Sequence, residues 1–232
     1  DWNDGNLWRQ VGPGAEMVSD ADAARTQALW ESVLGDARAA ADRRDRDTSM
    51  QAALDRQLAL EGLSGGDEQI LRYWASSEIE YDYAGSLRDL SAWWFDGDRW
   101  LGGQDDAIVA GGYRQLVDLL AAGLSIRTGA IARRVEHDGS GVRVVLASGE
   151  TLEAAACIVT VPLGVLRRGR SGSTGIAFAP DLPQAHRSSI RGLRMGALNK
   201  LFLRYPERFW GGGQVVSWAP ERPGRWIEWV DY

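Results

Sequence analysis

Ile131-Ala-Arg-Arg-Val-Glu-His-Asp-Gly-Ser-Gly-Val-Arg-Val-Val-Leu146 decides the fold class of this chain of 232 residues. Apolar and polar residues alternate over Ile131 to Glu136 and again over Val142 to Leu146, the rhythm of strands with one buried face. The Gly-rich tetrapeptide Asp138-Gly-Ser-Gly141 between them supplies the backbone freedom that a hairpin needs. A second turn at Ser148-Gly149 leads into Thr151 to Glu153, so a β-meander is expected. Ile158-Val-Thr-Val161 is an unbroken apolar run and reads as a fully buried strand ended by Pro162.

Working outward, the first hundred residues carry helical periodicity. Ser19 or Asp20 caps a helix from about residue 20 to 43, with Ala24, Leu29, Val33, Leu34 and Ala37 at roughly helical spacing. Thr48 or Ser49 caps a second helix, stopped by Gly62. A third runs from Asp67 through Ile70, Tyr73, Trp74 and Ile79. The texture changes after Gly102-Gly103, where Gly111-Gly112 precede a short helix from Tyr113 to Ala122. Beyond the meander, Arg167 to Gly175 reads as a mobile surface loop and Ile176 to Phe178 as a short strand. A helix near Pro183 to Leu193, a strand through Gly196-Ala-Leu-Asn-Lys-Leu-Phe-Leu203 and a strand pair from Val215 to Tyr232 follow. The class expected is α/β in the α+β sense.

A net charge of -6 offers no basic footprint for nucleic acid, while acidity is compatible with a cationic substrate. Cys157 is the single cysteine, so no internal disulfide forms. No stretch reaches transmembrane length and no secretory signal opens the chain, which favours a cytoplasmic location and no membrane partner. Nothing in the sequence sets an oligomeric state. With only His137 and His186 and no partner motif for either, a His-rich metal site and a Ser-His relay are set aside. Gly12-Pro-Gly14 and Gly211-Gly-Gly213 lack the strand and third glycine of a dinucleotide fingerprint and read as turns.

Lys200 is the only lysine, against 25 arginines. An ammonium on a flexible stem can hold a single water or amine, and its proton affinity is readily moved, neither of which suits a planar guanidinium. Alone, one leftover lysine could equally be chance.

Three stretches surround it in a telling order: Val161-Pro-Leu-Gly-Val-Leu166, then Ile176-Ala-Phe-Ala-Pro-Asp-Leu-Pro183, then Gly196-Ala-Leu-Asn-Lys200 continuing to Phe209-Trp210. In order and spacing they resemble the flavin-containing amine oxidases, closest to the polyamine oxidase and lysine-specific histone demethylase branch. The resemblance extends upstream through Gly111-Gly-Tyr113 and the meander, and downstream to Trp229. The helical first half matches only in texture.

The resemblance implies a partial FAD-binding domain with a β-meander, and a substrate domain of helices and a mixed sheet. Residues 1–103 would be the helical part of the substrate domain, 104–165 the middle segment of the FAD-binding domain, and 166–232 the sheet part of the substrate domain. Lys200 would be the active-site lysine that holds a water against the flavin, and its plainer reading is a lysine reaching solvent from a sheet edge. Trp229 would form an aromatic wall of the substrate cavity, with Tyr232 closing the same stretch; a tryptophan packed in a core is the alternative. Asp96 and Asp98 align loosely with acidic residues at the cavity mouth, or are simply solvated in a turn. Ile131 and Ala132 would meet the adenine end of FAD through the backbone, and Thr160, Val161, Pro162 and Leu163 would pass the dinucleotide at the end of a strand.

The activity implied is oxidation of a small-molecule amine to an imine, with hydride transfer to FAD and hydrogen peroxide formed from dioxygen. Family members also have an opening Gly-rich segment and a closing flavin-contacting segment. Neither is displayed here, so the expectation is an internal fragment that neither retains FAD nor turns over alone. An amino-acid oxidase of the same superfamily, which would clamp a substrate carboxylate with arginine, and a non-catalytic module that binds a partner through its tryptophans stay open beside this reading.

Overall fold

A computed structural model describes residues 6–63, 65–95, 109–169, 174–210, 215–222 and 226–231. The chain divides into two compact units, residues 1–98 with 196–232 and residues 99–195.

The first unit opens with a hairpin that helical periodicity did not foretell: β1 (Asn6–Val11) antiparallel to β2 (Gly14–Met17), turned at Gly12 with φ 54°. β7 (Val215–Ala219) lies parallel to β1 on its other side, and β8 (Glu228–Val230) closes the sheet antiparallel to β7, giving the order β2-β1-β7-β8.

Helix α1 (Asp20–Asp42) starts where Ser19 accepts the backbone N–H of Asp22, and α2 (Met50–Glu61) where Ser49 accepts that of Ala52. Gly62 ends α2 in the left-handed conformation. Trp30, Val33, Ala37 and Ala41 form the buried stripe of α1 and meet Met50, Ala53, Leu54 and Leu58 of α2. Loop residues 87–92 are laced onto the start of α2 by backbone bonds from Met50 to Leu90, Gln51 to Leu87 and Ala92 to Thr48, each 2.9 Å.

Helix α3 (Gly65–Ala75) has two buried faces. Leu71 and Ala75 enter the core of α1 and α2, while Ile70 and Tyr73 pack with Leu7, Ala219 and Ile227 of the sheet. Gln69 adds a polar tie, its amide donating to the carbonyls of Gln10 (3.0 Å) and Ala219 (2.9 Å) at the ends of β1 and β7. The helix continues as a π-helical turn, Ser76–Glu80.

The second unit holds the meander. β3 (Ala132–Asp138), β4 (Gly141–Leu146) and β5 (Thr151–Ala154) are antiparallel neighbours, and β6 (Ala177–Ala179) joins parallel to β3. At the expected turn, the Asp138 carboxylate accepts the backbone N–H (2.7 Å) and hydroxyl (2.5 Å) of Ser140. These two bonds hold its acid below the usual carboxylate range. Three short helices complete the unit: α4 (Arg114–Ala121), α5 (Leu163–Arg168) and α6 (Gln184–Gly192). The Arg167 guanidinium donates to the carbonyls of Ile190 (3.0 Å), Arg191 (2.9 Å) and Leu193, capping the C-terminal end of α6.

Three expectations are corrected. Ile158–Val161 is not a buried strand: Ile158 is 90 % exposed and the sheet order passes it by. An apolar run states that a segment can be buried on both faces, but a strand forms only where neighbours pair with it. Gly196–Leu203 is likewise exposed and unpaired with any strand among the described residues. Arg167 and Arg168 belong to α5 instead of a loop.

Glu78 makes the first unit pH-sensitive. Its carboxylate accepts the indole N–H of Trp30, which is 1 % exposed, at 2.5 Å. Burial nevertheless pushes its acid up from the ordinary 4.5, beyond what the Trp30 bond restores, and the charges of Glu31 and Asp82 push the same way. The folded chain therefore keeps Glu78 neutral to higher pH than the unfolded chain, a stability fully present below 4.5 and lost as pH rises through the folded value. Glu78→Gln keeps an acceptor for Trp30 without the charge. Its Tm is expected to equal that of the parent near about pH 4 and to exceed it near about pH 7 in circular-dichroism melts.

Candidate active site

The segment that carries Lys200 hangs between two anchors in the first unit. One is the carbonyl of Ala84, in the turn after the π-helical segment, which accepts the backbone N–H of Ala197 at 2.8 Å. Gly196 lies so close to that carbonyl that a Cβ would collide with it, which explains the glycine. At the far end Tyr205, Phe209 and Trp210 form an edge-to-face cluster with ring centroids 5.0 to 5.8 Å apart. The Trp210 indole donates to Asp231 (3.4 Å), and Arg208 pairs with the same carboxylate at 3.3 Å. Lys200 is exposed between these anchors and makes no ion pair among the described residues.

Trp229 stands on β8 opposite Val216, one residue before Val230 and two before the Asp231 anchor. It is 45 % exposed, which excludes the core reading, and it stacks on Trp226 at 5.8 Å and 23°. Trp226 holds φ at 50°, uncommon for so bulky a residue. The neighbouring Glu228 is directed to the other side, where one carboxylate oxygen accepts the hydroxyls of Ser77 and of Tyr73 (3.5 Å). Burial raises the Tyr73 phenol above its ordinary value, the bond to Ser217 opposes this, and the charge of Glu228 adds to it. Tyr73 is thus kept as a neutral donor. Asp96, Asp98 and Tyr232 lie outside the described residues.

The residues expected to meet a nucleotide fall in the second unit. The Ile131 N–H donates to Gly129 (3.2 Å) and its carbonyl accepts from Ala147 (2.8 Å), while Ala132 sits opposite Leu146 at a bulge that ends at Arg134. Arg127 forks onto Glu150 with bonds of 2.9 and 2.7 Å, an ion pair that lowers the acid of Glu150 and ties the segment before β3 to the turn between β4 and β5. Thr160 and Pro162 are exposed, Val161 and Leu163 half-buried, and the Pro162 carbonyl starts α5 by accepting from Val165 and Leu166. Thr160 to Pro162 lie outside any strand and Ala132 carries a small side chain, features that suit recognition of a nucleotide through the main chain, whereas both main-chain groups of Ile131 are already paired. These residues fit FAD in kind. Gly12–Gly14 does not contribute a phosphate cradle, since it turns the β1–β2 hairpin.

Sequence reasoning missed the Ala84 anchor, the Trp226 partner and Glu228. Glu228 alone left a signal, an acid alternating with the apolar Ile227 and Trp229 in a strand. A depression of about 270 Å³ lined by Gly65, Glu68, Gln69, Arg72, Pro220 and Glu221 contains none of the expected site residues. Among the described residues no cluster of metal ligands occurs, and no helix is long and apolar enough to cross a membrane.

The family model of flavin containing amine oxidoreductases matches residues 8–229. Lysine-specific histone demethylase 1 homolog 3 of Oryza sativa subsp. indica is 37% identical over 166 residues, 71% of this chain and 20% of that protein. Polyamine oxidase 2 of Arabidopsis thaliana is 32% identical over 187 residues, covering 78% of this chain and 36% of its own length. Polyamine oxidase 4 of Oryza sativa subsp. japonica is 29% identical over 212 residues, 89% of this chain and 42% of that protein. The chain therefore spans about a fifth of the demethylase and less than half of either polyamine oxidase. A solved triple mutant of putrescine oxidase, redesigned in cofactor binding, shares the fold with a TM-score of 0.52 at 16% identity, over 82% of this chain and 46% of that one.

The Ala84 anchor is directly testable. Gly196→Ala is expected to cost about 1–3 kcal/mol, because the carbonyl it meets is backbone and cannot swing away. Amide exchange at Ala197 should accelerate with it. Gly35→Ala, inside α1 with nothing within 4 Å of the new methyl, is the control and should stabilise by about 0.5–1 kcal/mol.

Proposed function

Because this chain belongs to the flavin containing amine oxidoreductase family, we propose that it is part of an FAD-dependent oxidase of a small-molecule amine. The observation that carries the reading is the placement of Lys200, the sole lysine, on an exposed doubly anchored segment of the unit that also presents Trp229. The chain covers less than half of its oxidase relatives, so the activity is proposed for the whole protein.

FAD, when bound, would accept hydride from the carbon beside the amine nitrogen, leaving an imine for water to hydrolyse, and return the electrons to dioxygen as hydrogen peroxide. The chain's own residues bind and orient. The Lys200 ammonium holds a water by donating one N–H to its oxygen, a task for a compact donor on a flexible stem. Trp229 offers a flat wall that orients an amine and excludes bulk water from it. In the second unit, Ile131 and Ala132 meet the adenine end through main-chain groups, and Thr160, Val161, Pro162 and Leu163 line the passage of the dinucleotide. On this reading residues 104–165 serve the cofactor, and residues 1–103 and 166–232 serve the substrate. Asp96 and Asp98 would draw a polycation toward the cavity, and Tyr232 would extend its aromatic wall.

The 37% identity to a protein named as a lysine-specific histone demethylase supports a second substrate class, a methylated lysine side chain on a protein. The two classes call for the same bond cleavage at an amine carbon and differ in how much of the substrate lies outside the cavity.

The whole protein, isolated with its flavin, is expected to be yellow and to release peroxide with a polyamine. A methyl-lysine peptide and a panel of amino acids in the same assay separate the other substrate classes, and peroxide from amino acids alone would overturn the amine reading. Lys200→Met with unchanged flavin content is expected to slow flavin reduction about tenfold or more, a loss of about 1.4 kcal/mol of transition-state stabilisation. Undiminished reduction would remove Lys200 from the mechanism.

A further inference from the structure

We infer that Glu228 sets the register of β8 on β7, and with it the face on which Trp229 stands, which makes Glu228 a positioning residue of the amine site. The inference rests on the reading of Trp229 as a wall of that site.

β8 is short and terminal. It has three residues, it lies at the end of the sheet order, and it holds to β7 through the pairs Val215–Val230, Val216–Trp229 and Ser217–Glu228, with one further backbone bond of 2.7 Å from Trp218 to Ile227. So few rungs discriminate poorly between registers. A slip of one residue would turn every side chain of the strand to the opposite face.

Burial of the indole favours that slip, while buried Ile227 and half-buried Val230 oppose it. As the strand stands, a carboxylate is directed inward and an indole is left 45 % exposed, the reverse of what burial alone would select. In the slipped arrangement Trp229 would bury its rings and Glu228 would reach water. The hydroxyls add a hold on the observed register that is specific to Glu228. Ser77 and Tyr73 both donate to the same carboxylate oxygen, on a residue paired with Ser217 across the ladder. Hydrogen bonds to a charged, part-buried acceptor are among the stronger ones, and a donor left without its acceptor there is costly. Two hydroxyls, on α3 and its π-helical extension, thus hold the acid in and keep the tryptophan out.

The test uses the 232-residue chain labelled with 5-fluorotryptophan, with the Trp229 fluorine resonance assigned by its loss in Trp229→Phe. The solvent isotope shift between light and heavy water reads the exposure of that ring, and the Trp30 resonance reports whether the core is intact. In Glu228→Ala the Trp229 shift is expected to fall toward that of buried Trp30 while the Trp30 resonance stays in place. Glu228→Gln, whose carbonyl can still accept from Ser77, is expected to restore most of the parent shift. An unchanged Trp229 shift in a folded Glu228→Ala variant overturns the inference. Should that variant not fold, Ser77→Ala decides: a second, less exposed Trp229 resonance supports the register role, and a single parent-like resonance overturns it. None of these readings involves flavin or amine, so failure here is distinct from failure of the oxidase proposal.

Discussion

The parallel pairing of β1 with β7 is the contact on which the first unit depends. Asn6 to Arg9 meet Val216 to Ala219, joining segments some two hundred residues apart in sequence. Without β1, β7 would have only β8 beside it, and a two-stranded ribbon is marginal in water. Both candidate substrate-side residues hang from this pairing. Trp229 is on β8 itself, and the Lys200 segment is tied to Asp231 just beyond it.

Helix α3 transmits that placement to the helical core. Its Leu71 and Ala75 belong to one apolar cluster and its Ile70 and Tyr73 to the other, so the sheet cannot shift without disturbing α1 and α2. Polar groups sharpen what the apolar faces leave loose. Gln69 reads the carbonyls at the ends of β1 and β7, Glu78 reads the Trp30 indole, and the Ser77 and Tyr73 hydroxyls read Glu228. Each of these is a directional bond at the edge of a non-directional contact. Together they specify one arrangement where hydrophobic burial would accept several.

Local chemistry was legible in the sequence and long-range pairing was not. Ser19, Ser49 and Gly62 announced the ends of α1 and α2 because a cap is made within a few residues. Asp138 to Gly141 announced the hairpin for the same reason. β1 escaped notice although β2 pairs with it locally across Gly12, and only its second partner, β7, lies some two hundred residues away. Ile158 to Val161 was misread in the opposite sense, an apolar run with no strand beside it. At the site, Lys200 stood out by composition and by its flanking motif, whereas its anchor on Ala84 needed the fold. The family membership was legible from the ordered stretches around Val161, Ile176 and Gly196, and the match over residues 8–229 bears it out.

The separation of β1 from β7 has a consequence during synthesis. About two hundred residues must leave the ribosome after β1 before its parallel partner appears, a delay on the order of 10–40 s at roughly 5–20 residues per second. Throughout that interval β2 covers one edge of β1 and the other edge has no strand to pair with. Gln69 emerges early, and its amide can already engage the Gln10 carbonyl that it holds in the finished unit. A nascent chain in this state presents a short, partly guarded strand edge. The sheet of the first unit is completed only when β7 and β8 arrive.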